Sequence, residues 1–311
     1  MKIHRDIDQL PVFNNSVITI GSFDGVHLGH QMILHQLVQE AKKINSSSVV
    51  ISFFPHPKII LGQSSEGLKL INTIEEKANR FELLGIDHLV LIPFNLEFAS
   101  LSAQAYISDF LVKHFRPHTI IIGHDHKFGK NRLGDFDLLE KSGQQYGFKV
   151  LEIPEHILSD VAISSTSIRN KISGGNIDEA NKLLGYAYHF SGTVEHGNEL
   201  GRTIGFPTAN ILIEDELKLI PADGVYAVIV EIEKSGSLYG MMNIGNRPTV
   251  DGKSRTIEVH IFNFNETIYD QTLTIQVIQR IRSEIKFSHL DELKAQLSND
   301  KQNCMAVFNL S

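Results

Sequence analysis

The chain has 311 residues, 42% hydrophobic and 21% charged, a composition typical of globular proteins that argues against a disordered or fibrous chain. Its formal net charge of −7 argues against a nucleic-acid partner, because proteins that neutralise many phosphates normally carry a basic surface. The single cysteine, Cys304, excludes an intramolecular disulfide and an all-cysteine metal site, and the length predicts two domains.

Residues 1–13 lack the apolar core of a secretory signal, and no later stretch approaches the roughly 18 apolar residues of a membrane span. We therefore expect a cytoplasmic protein without a membrane partner. Small molecules are the expected partners, since a local basic pocket for one phosphorylated ligand is compatible with the negative net charge.

The first half of the chain alternates short apolar runs with amphipathic stretches. Strands are predicted at residues 17–20, 48–53, 88–94, 119–123 and 149–153. One helix is predicted at residues 31–43, and a second begins at the capping-box pair Thr73 and Glu76 and ends at Gly85. A third is predicted at residues 102–115. In the first helix the apolar residues that share one face are Ile33, Leu34, Leu37, Val38 and Ala41. This alternation is typical of βαβ units and predicts an α/β fold, a Rossmann-like parallel sheet that binds ligands at the carboxyl ends of its strands.

The second half is rich in short β-type runs separated by turn signals. These runs predict an antiparallel barrel or sandwich, followed by a helix at residues 289–300. A short helical piece at 174–185 is the predicted connector. We therefore expect one domain at residues 1–185 and a second at residues 186–311.

The loop GSFDGVHLGH (21–30) follows the first predicted strand and precedes a helix. Its glycines allow close backbone approach to a ligand, and the free N–H groups of a helix N-terminus favour an anion. His27 and His30 add hydrogen-bond donors suited to phosphate oxygens. The glycines also fit a plain tight turn with incidental surface histidines. The P-loop pattern is absent from the chain, and no nearby carboxylate and histidine set completes a metal site.

Eight segments in order resemble bacterial bifunctional riboflavin kinase/FAD synthetases, and the first carries the H-x-G-H signature of nucleotidylyltransferases. They are FDGVHLGH (23–30), FFPHP (53–57), IIGHDHKFGKNRLGD (121–135), SSTSIR (164–169), GRTIGFPTAN (201–210), MNIGNRPT (242–249), TIEVHIF (256–262) and RSEIKF (282–287). The resemblance implies an N-terminal FMN adenylyltransferase and a C-terminal β-barrel riboflavin kinase with a terminal helix.

For the adenylyltransferase, the resemblance implies that His27 and His30 hold the phosphates during catalysis. It places in the nucleotide site Gly21, Phe23, Asp24, Gly25, Gly29, His56, Asp125, Ser164, Ser165, Thr166 and Arg169. Without that context, His56 also fits a rigid turn at a strand end, and SSTSIR fits a helix cap with a surface arginine. His126 departs from the family pattern, which has an aromatic residue there.

For the kinase, the resemblance implies that Glu258 is the catalytic base, and strand alternation puts Thr256, Glu258 and His260 on one face. It assigns ATP and flavin binding to Gly205, Pro207, Thr208, Asn210, Arg282 and Glu284, with Phe287 nearby, and Mg²⁺ binding to Thr208 and Asn210. Without that resemblance, Glu258 also fits a solvated residue on the outer face of a barrel, and PTAN (207–210) also fits the start of a strand after a proline. Asn263 stands where the family often has aspartate.

The function expected from these motifs is bifunctional and Mg²⁺-dependent. Riboflavin and ATP would give FMN and ADP in the C-terminal domain, and FMN and ATP would give FAD and diphosphate in the N-terminal domain. One alternative retains the adenylyltransferase but makes the barrel a non-catalytic flavin-sensing module. Another is nucleotidyl transfer to a different phosphorylated metabolite, since only the barrel points to flavin.

Overall fold

The computed structural model describes residues 1–62, 67–124, 126–153, 163–197, 200–233, 235–249 and 252–310. The chain divides into two compact units, Met1–Ser165 and Thr166–Ser311. Within the described ranges, no helix has the length and apolar character needed to cross a membrane.

The first unit is built on a six-stranded sheet in which every pair of neighbours is parallel. Its strands are β1 (Lys2–His4), β2 (Ser16–Ile20), β3 (Ser48–Phe54), β4 (His88–Pro93), β5 (Pro117–Gly123) and β6 (Lys149–Ile153). The order β1-β4-β3-β2-β5-β6 confirms the predicted parallel α/β sheet. After β2 the chain continues to β3 on one side, and β5 lies on the other, so β2 is at the switch point where ligands bind in such sheets.

Helices cover both faces of this sheet. They are α1 (Leu28–Lys43), α2 (Pro57–Ile60), α3 (Ile74–Leu83), α4 (Leu96–Ala99), α5 (Ala103–Ala105), a π-helical segment (Tyr106–Val112), α6 (Lys113–Phe115) and α7 (Phe136–Tyr146), with 3₁₀ turns at Ile7–Gln9 and Lys130–Arg132. Alternate strand residues feed two cores: Val50 packs with α1 and α3, whereas Val49 and Ile51 pack with the π-helical segment and α7.

The structure corrects the sequence-based predictions for this unit in three places. Helix α1 begins at Leu28 rather than at residue 31, because the backbone turns helical immediately after His27. The stretch 102–115 is helical, but its middle seven residues are π-helical. Strand β1 was missed because a three-residue edge strand carries no periodicity that a sequence pattern could reveal.

The second unit is a closed antiparallel barrel with the strand order β10-β11-β8-β7-β12-β9. Its elements are α8 (Ser165–Ser173), α9 (Ile177–Leu184), β7 (Tyr188–Glu195), α10 (Leu200–Thr203), β8 (Ala209–Leu212), β9 (Gly224–Ile232), β10 (Gly236–Thr249), β11 (Gly252–Ile261), β12 (Thr272–Arg282) and α11 (Leu290–Val307). The expectation of a barrel or sandwich is therefore resolved in favour of a barrel. The terminal helix is confirmed, and it extends past residue 300 to Val307.

Helices at both ends of this unit pack on the barrel. On α9, the Asn181 side chain donates to the Val277 carbonyl at 3.0 Å and accepts from the Tyr188 backbone N–H at 2.7 Å. On α11, Cys304 is fully buried against Ala227, Met241 and Phe262. Burial raises the pKa of the Cys304 thiol to about 12, so this cysteine is a core residue without thiolate reactivity.

Candidate active sites

The loop between β2 and α1 ends on His27, which is the N-cap of the helix. The His27 Nδ1 accepts a hydrogen bond from the His30 backbone N–H at 3.4 Å. In the neutral ring the proton is therefore on Nε2, which is left as a donor. Positive φ angles at Phe23 (48°), Gly25 (86°) and Val26 (35°) bend the backbone tightly before the helix. Such angles in bulky non-glycine residues are strained and concentrate at functional sites.

The two histidine rings stack on each other, and His27 is buried while His30 is half-buried. Their centroids are 3.6 Å apart with an interplanar angle of 18°, and the Phe23 ring meets His30 edge-on at 5.2 Å. Burial lowers the pKa of His27 to about 4 and the pKa of His30 well below 6.5, which His27 and Lys77 lower further. Both rings are therefore neutral at pH 7. Within the described part of the chain, the buried Nδ1 of His30 has no hydrogen-bond partner.

Asp24 ties this loop to neighbouring segments rather than facing solvent. Its buried carboxylate accepts from the backbone N–H groups of Ile71 at 2.9 Å and Asn72 at 3.4 Å. Its carbonyl accepts from the Ser165 hydroxyl at 2.8 Å. The structure thus brings Asp24 and Ser165 together and gives Asp24 a role in holding the loop.

Lys77 lies beneath the same loop, although it belongs to α3. Its ammonium group is buried and donates to the Ser22 carbonyl at 2.8 Å. Burial lowers the pKa of Lys77, and the nearby Asp24 carboxylate opposes that effect. The loop therefore packs over a buried lysine from α3, close to the pair of neutral histidines.

The other residues predicted for this site are placed as follows. His56 is buried and caps α2 by accepting from the Lys58 backbone N–H at 3.2 Å. Ser164 directly precedes α8, and Arg169 lies one turn into it, where it donates to Thr166 Oγ1 at 3.4 Å in the second unit. Gly21 continues β2 by donating to the Ile51 carbonyl, and Gly29 is buried in the first turn of α1. Asp125 lies outside the described residues.

The second site is a cavity of about 240 Å³ in the barrel unit, and Glu258 is one of its lining residues. Glu258 pairs with Asn210 on β8 and with Asn243 on β10, so the three polar side chains lie in one row across neighbouring strands. His260, two residues further on β11, lines the same cavity. The alternation predicted for this strand therefore points Glu258 into a cavity and not to an outer solvated face.

The turn that leads into β8 carries Thr208, and Asn210 follows on β8 itself, next to Glu258. Gly205, with φ of 86°, closes this turn, and the Phe206 N–H donates to the Gly201 carbonyl at 2.8 Å. The Pro207 carbonyl accepts a hydrogen bond from His260 Nδ1 at 2.7 Å. Burial lowers the pKa of His260, so its ring is neutral, with the proton on Nδ1.

The remaining wall comes from the segment after β12 and from α11. Arg282 lines the cavity and forms a two-point ion pair with Asp300 on α11. Glu284 also lines it, and its carboxylate lies over Gly245, where any Cβ would overlap it. Arg282 lies 6.0 Å from the centroid of the Phe287 ring. The structure therefore brings together residues predicted for the kinase from three separate segments of the chain, whereas Gly205 and Pro207 do not line the cavity.

Comparison with known proteins assigns a family to each part of the chain. A family model described as FAD synthetase matches residues 10–167, and one described as riboflavin kinase matches residues 184–308. A curated bifunctional riboflavin kinase/FMN adenylyltransferase from Escherichia coli strain K12 is 39% identical, with 100% of this chain and 99% of the relative covered. The chain belongs to the bifunctional riboflavin kinase/FMN adenylyltransferase family.

Further relatives agree with this family over most of their length. A bifunctional riboflavin kinase/FMN adenylyltransferase from Buchnera aphidicola subsp. Schizaphis graminum is 40% identical, with both chains covered at 100%. A crystal structure described as a macrolide-efflux protein from Streptococcus pneumoniae superposes with a TM-score of 0.85 at 34% identity, covering 96% of this chain and 97% of that one. This bifunctional family member thus shares its fold with a solved structure over nearly the whole length of both chains.

Three residues at these sites were not identified from the sequence. Lys77 lies in the helix predicted between Thr73 and Gly85, and a lysine in a surface helix is normally exposed. His260 was placed on the correct face, but its hydrogen bond to Pro207 joins residues 53 positions apart. Asp300 stands near the end of the predicted terminal helix, where an acidic residue gives no sign of a buried partner.

Proposed function

We propose that this chain phosphorylates riboflavin to FMN in the barrel and adenylylates FMN to FAD in the first unit, using one ATP at each site. The observation that carries the proposal is the position of Glu258, which faces a cavity together with Asn210 and Thr208. A module that only binds flavin needs no such base beside a magnesium-binding turn. We further propose that the enzyme acts in the cytoplasm on small molecules alone.

In the kinase reaction, the terminal ribityl hydroxyl of riboflavin attacks the γ-phosphorus of ATP. Glu258 takes the hydroxyl proton, the new O–P bond forms, and the bond to the β-phosphate oxygen breaks to release ADP. Catalysis by a positioned base of this kind contributes on the order of 10²- to 10⁴-fold. The row of Asn210, Glu258 and Asn243 gives the carboxylate amide neighbours on both sides.

The donor set of the cavity fits Mg²⁺. A threonine hydroxyl at 208 and an amide oxygen at 210 are hard oxygen ligands, and Mg²⁺ is usually held by a few protein oxygens, waters and substrate phosphates. Space is kept beside both residues, because Gly201 and Gly197 have no Cβ and a Cβ at Gly197 would overlap the Asn210 amide. Bound Mg²⁺ would neutralise charge on the transferring phosphate. Within this chain, Thr208 and Asn210 would hold it.

In the adenylyltransferase reaction, a phosphate oxygen of FMN attacks the α-phosphorus of ATP and diphosphate leaves. The protein has to align two phosphates and stabilise the charge that develops between them. The His27 Nε2–H and the free backbone N–H groups at the start of α1 are donors suited to these oxygens. Because burial keeps the histidines neutral, they donate without carrying a permanent charge of their own.

The proposed functional boundary stays between residues 185 and 186. Packing divides the chain after Ser165, which places α8 and α9 in the second unit. The residues Ser164, Ser165, Thr166 and Arg169 at the start of α8 are nevertheless proposed to serve the nucleotide of the adenylyltransferase. Hydroxyls at a helix start and an arginine one turn later suit phosphate oxygens.

Two substitutions separate the activities. We expect Glu258→Ala to abolish FMN formation from riboflavin while FAD formation from supplied FMN continues, and His30→Ala to do the reverse. Products are separated by chromatography after incubation with ATP and Mg²⁺. Matched controls are Glu231→Gln, on an exposed face of β9, and His35→Ala, exposed on α1, and both should leave the two activities unchanged.

The same experiment decides between the hypotheses. If either active-site substitution lowered both activities equally in a folded protein, the assignment of two sites would be wrong. If the unmodified chain formed FAD from FMN but no FMN from riboflavin, the barrel would be a non-catalytic flavin-sensing module.

A further inference from the structure

The terminal helix α11 contributes Asp300 to the lining of the kinase cavity, and Gln296, one turn earlier on the helix, donates a hydrogen bond to Asp300. We propose that these two are positioning residues that fix the Arg282 guanidinium on the flavin-binding wall of the cavity. The inference rests on the proposed riboflavin kinase activity and extends it to a helix that carries none of the motifs recognised in the sequence.

The contacts hold the guanidinium at several points. Arg282 Nε donates to Asp300 Oδ1 at 2.8 Å and Nη2 donates to Asp300 Oδ2 at 2.7 Å, while Nη1 donates to the Ser283 carbonyl at 2.9 Å. Gln296 Nε2, one turn earlier on α11, donates to the same Asp300 Oδ1 at 2.8 Å. Two-point pairing of this kind fixes the plane and the direction of the guanidinium as well as its position.

The guanidinium retains hydrogen-bonding capacity after these contacts are made. It has five N–H groups, of which three are used by Asp300 and Ser283, so one N–H on each Nη is left without a partner among the described residues. The Arg282 side chain is 17% exposed and lines the cavity, whereas the Asp300 side chain is completely buried. The two remaining donors are therefore available to a ligand with acceptor oxygens.

The surroundings of Arg282 favour the flavin ring over the nucleotide. On the same wall the cavity is lined by Phe287, Leu293 and Leu297, which offer apolar surface to a flat aromatic system. Arg282 ends β12, and two strands separate β12 from β11, which carries Glu258, in either direction around the closed barrel. A planar ring with carbonyl oxygens matches apolar contacts combined with two fixed donors.

Attachment of α11 alone does not account for the pair. A buried ion pair is weak evidence for stability, because apolar side chains of similar size often hold a helix at least as well. Leu297 and Met305 already give α11 an apolar attachment to the barrel. The ion pair differs from an apolar contact in that it fixes the orientation of the Arg282 guanidinium. Because Arg282 lines the cavity, that orientation matters for a ligand bound there.

The test compares three variants of the full-length protein. Asp300→Asn removes the charge but keeps the shape, Gln296→Ala removes only the supporting hydrogen bond, and Asp291→Asn is the control, since it removes an exposed carboxylate from the first turn of the same helix. The measurements are the Kd for riboflavin from quenching of its fluorescence, the KM for riboflavin, the KM for ATP, and FAD formation from FMN.

We expect Asp300→Asn to raise the Kd and KM for riboflavin at least tenfold while the KM for ATP changes less than twofold. Gln296→Ala should raise the same two constants at least twofold but less than Asp300→Asn does, because it removes a hydrogen bond to the carboxylate and leaves the ion pair in place, and Asp291→Asn should change neither. FAD formation should be unaffected in all three. If Asp300→Asn fails to fold, Gln296→Ala decides the question in the same way.

Unchanged riboflavin constants in a folded variant, or equal rises for riboflavin and ATP, would overturn the inference and leave the pair with a structural role. These results differ from a failure of the proposed function, in which the unmodified chain itself forms no FMN from riboflavin.

Discussion

Replacing Lys77 with methionine tests whether the buried ammonium group serves the adenylyltransferase site. The lysine donates to the Ser22 carbonyl at 2.8 Å, and a hydrogen bond from a charged group is worth about 1.5–3 kcal/mol. If that free energy holds the loop in its active geometry, its loss lowers kcat/KM for FAD formation by about 10- to 150-fold. The substitution also removes the cost of burying a charged group, which is the effect that lowers the pKa of Lys77. This gain in stability offsets the loss of the hydrogen bond, so the free energy of unfolding should change by only about 1 kcal/mol.

The assay measures FAD formation from FMN and ATP, FMN formation from riboflavin, and urea unfolding on the same preparations. Lys43→Met is the matched control, since the Lys43 side chain is 65% exposed and pairs with Glu40 on the same helix. We expect the control to retain both activities, and Lys77→Met to lose FAD formation alone. Normal FAD formation in Lys77→Met would refute the reasoning, as would a loss of activity that merely parallels a loss of stability.

Four further outcomes are expected. Burial lowers the pKa of His27 from 6.5 to about 4, so between these pH values the unfolded chain binds more protons than the folded one. The free energy of unfolding, measured with urea, should therefore fall by up to about 3 kcal/mol as the pH drops from 6.5 to 4. In His27→Asn, which keeps an acceptor for the helix cap, the fall over the same pH range should be smaller. His260→Leu should lower kcat/KM for Mg–ATP in FMN formation about fivefold, whereas His260→Asn, which keeps a donor near the Nδ1 position, should retain it. Gly201→Ala should reduce FMN formation but not FAD formation, because the new Cβ would overlap the Phe206 carbonyl. Thr73→Ala should lower the melting temperature, since it removes a capping box worth about 0.5–2 kcal/mol, without changing KM at either site.

Much of the fold follows from local patterns in the sequence. The buried strands β2 to β6 carry continuous apolar runs, and the five apolar positions predicted for one face of α1 are all buried. The capping box at Thr73 fixes the start of α3 because its two hydrogen bonds join residues three apart. Such features need only the propensities and spacings of neighbouring residues.

The parts that the sequence did not predict depend on distant partners or on context. Nothing near Lys77 shows that its ammonium group meets the Ser22 carbonyl 55 positions earlier. Asp300 and Arg282 are 18 residues apart on elements of different type, and their pairing follows only from how α11 packs on the barrel. The π-helical turn at Tyr106–Val112 differs from an α-helix by one residue per hydrogen bond, and the apolar pattern is the same for both.

The attachment of Asn181 to the barrel has a practical consequence for anyone who wishes to express the kinase alone. A shortened chain that began at residue 186 would leave the Tyr188 N–H and the Val277 carbonyl without the side chain that now satisfies both. It would also uncover the part of β12 on which α9 packs, and freshly exposed apolar surface of this kind promotes aggregation. Truncation ahead of residue 166 would keep these helices with the barrel, so a soluble kinase fragment would carry with it the residues of α8 that are proposed to serve the other reaction.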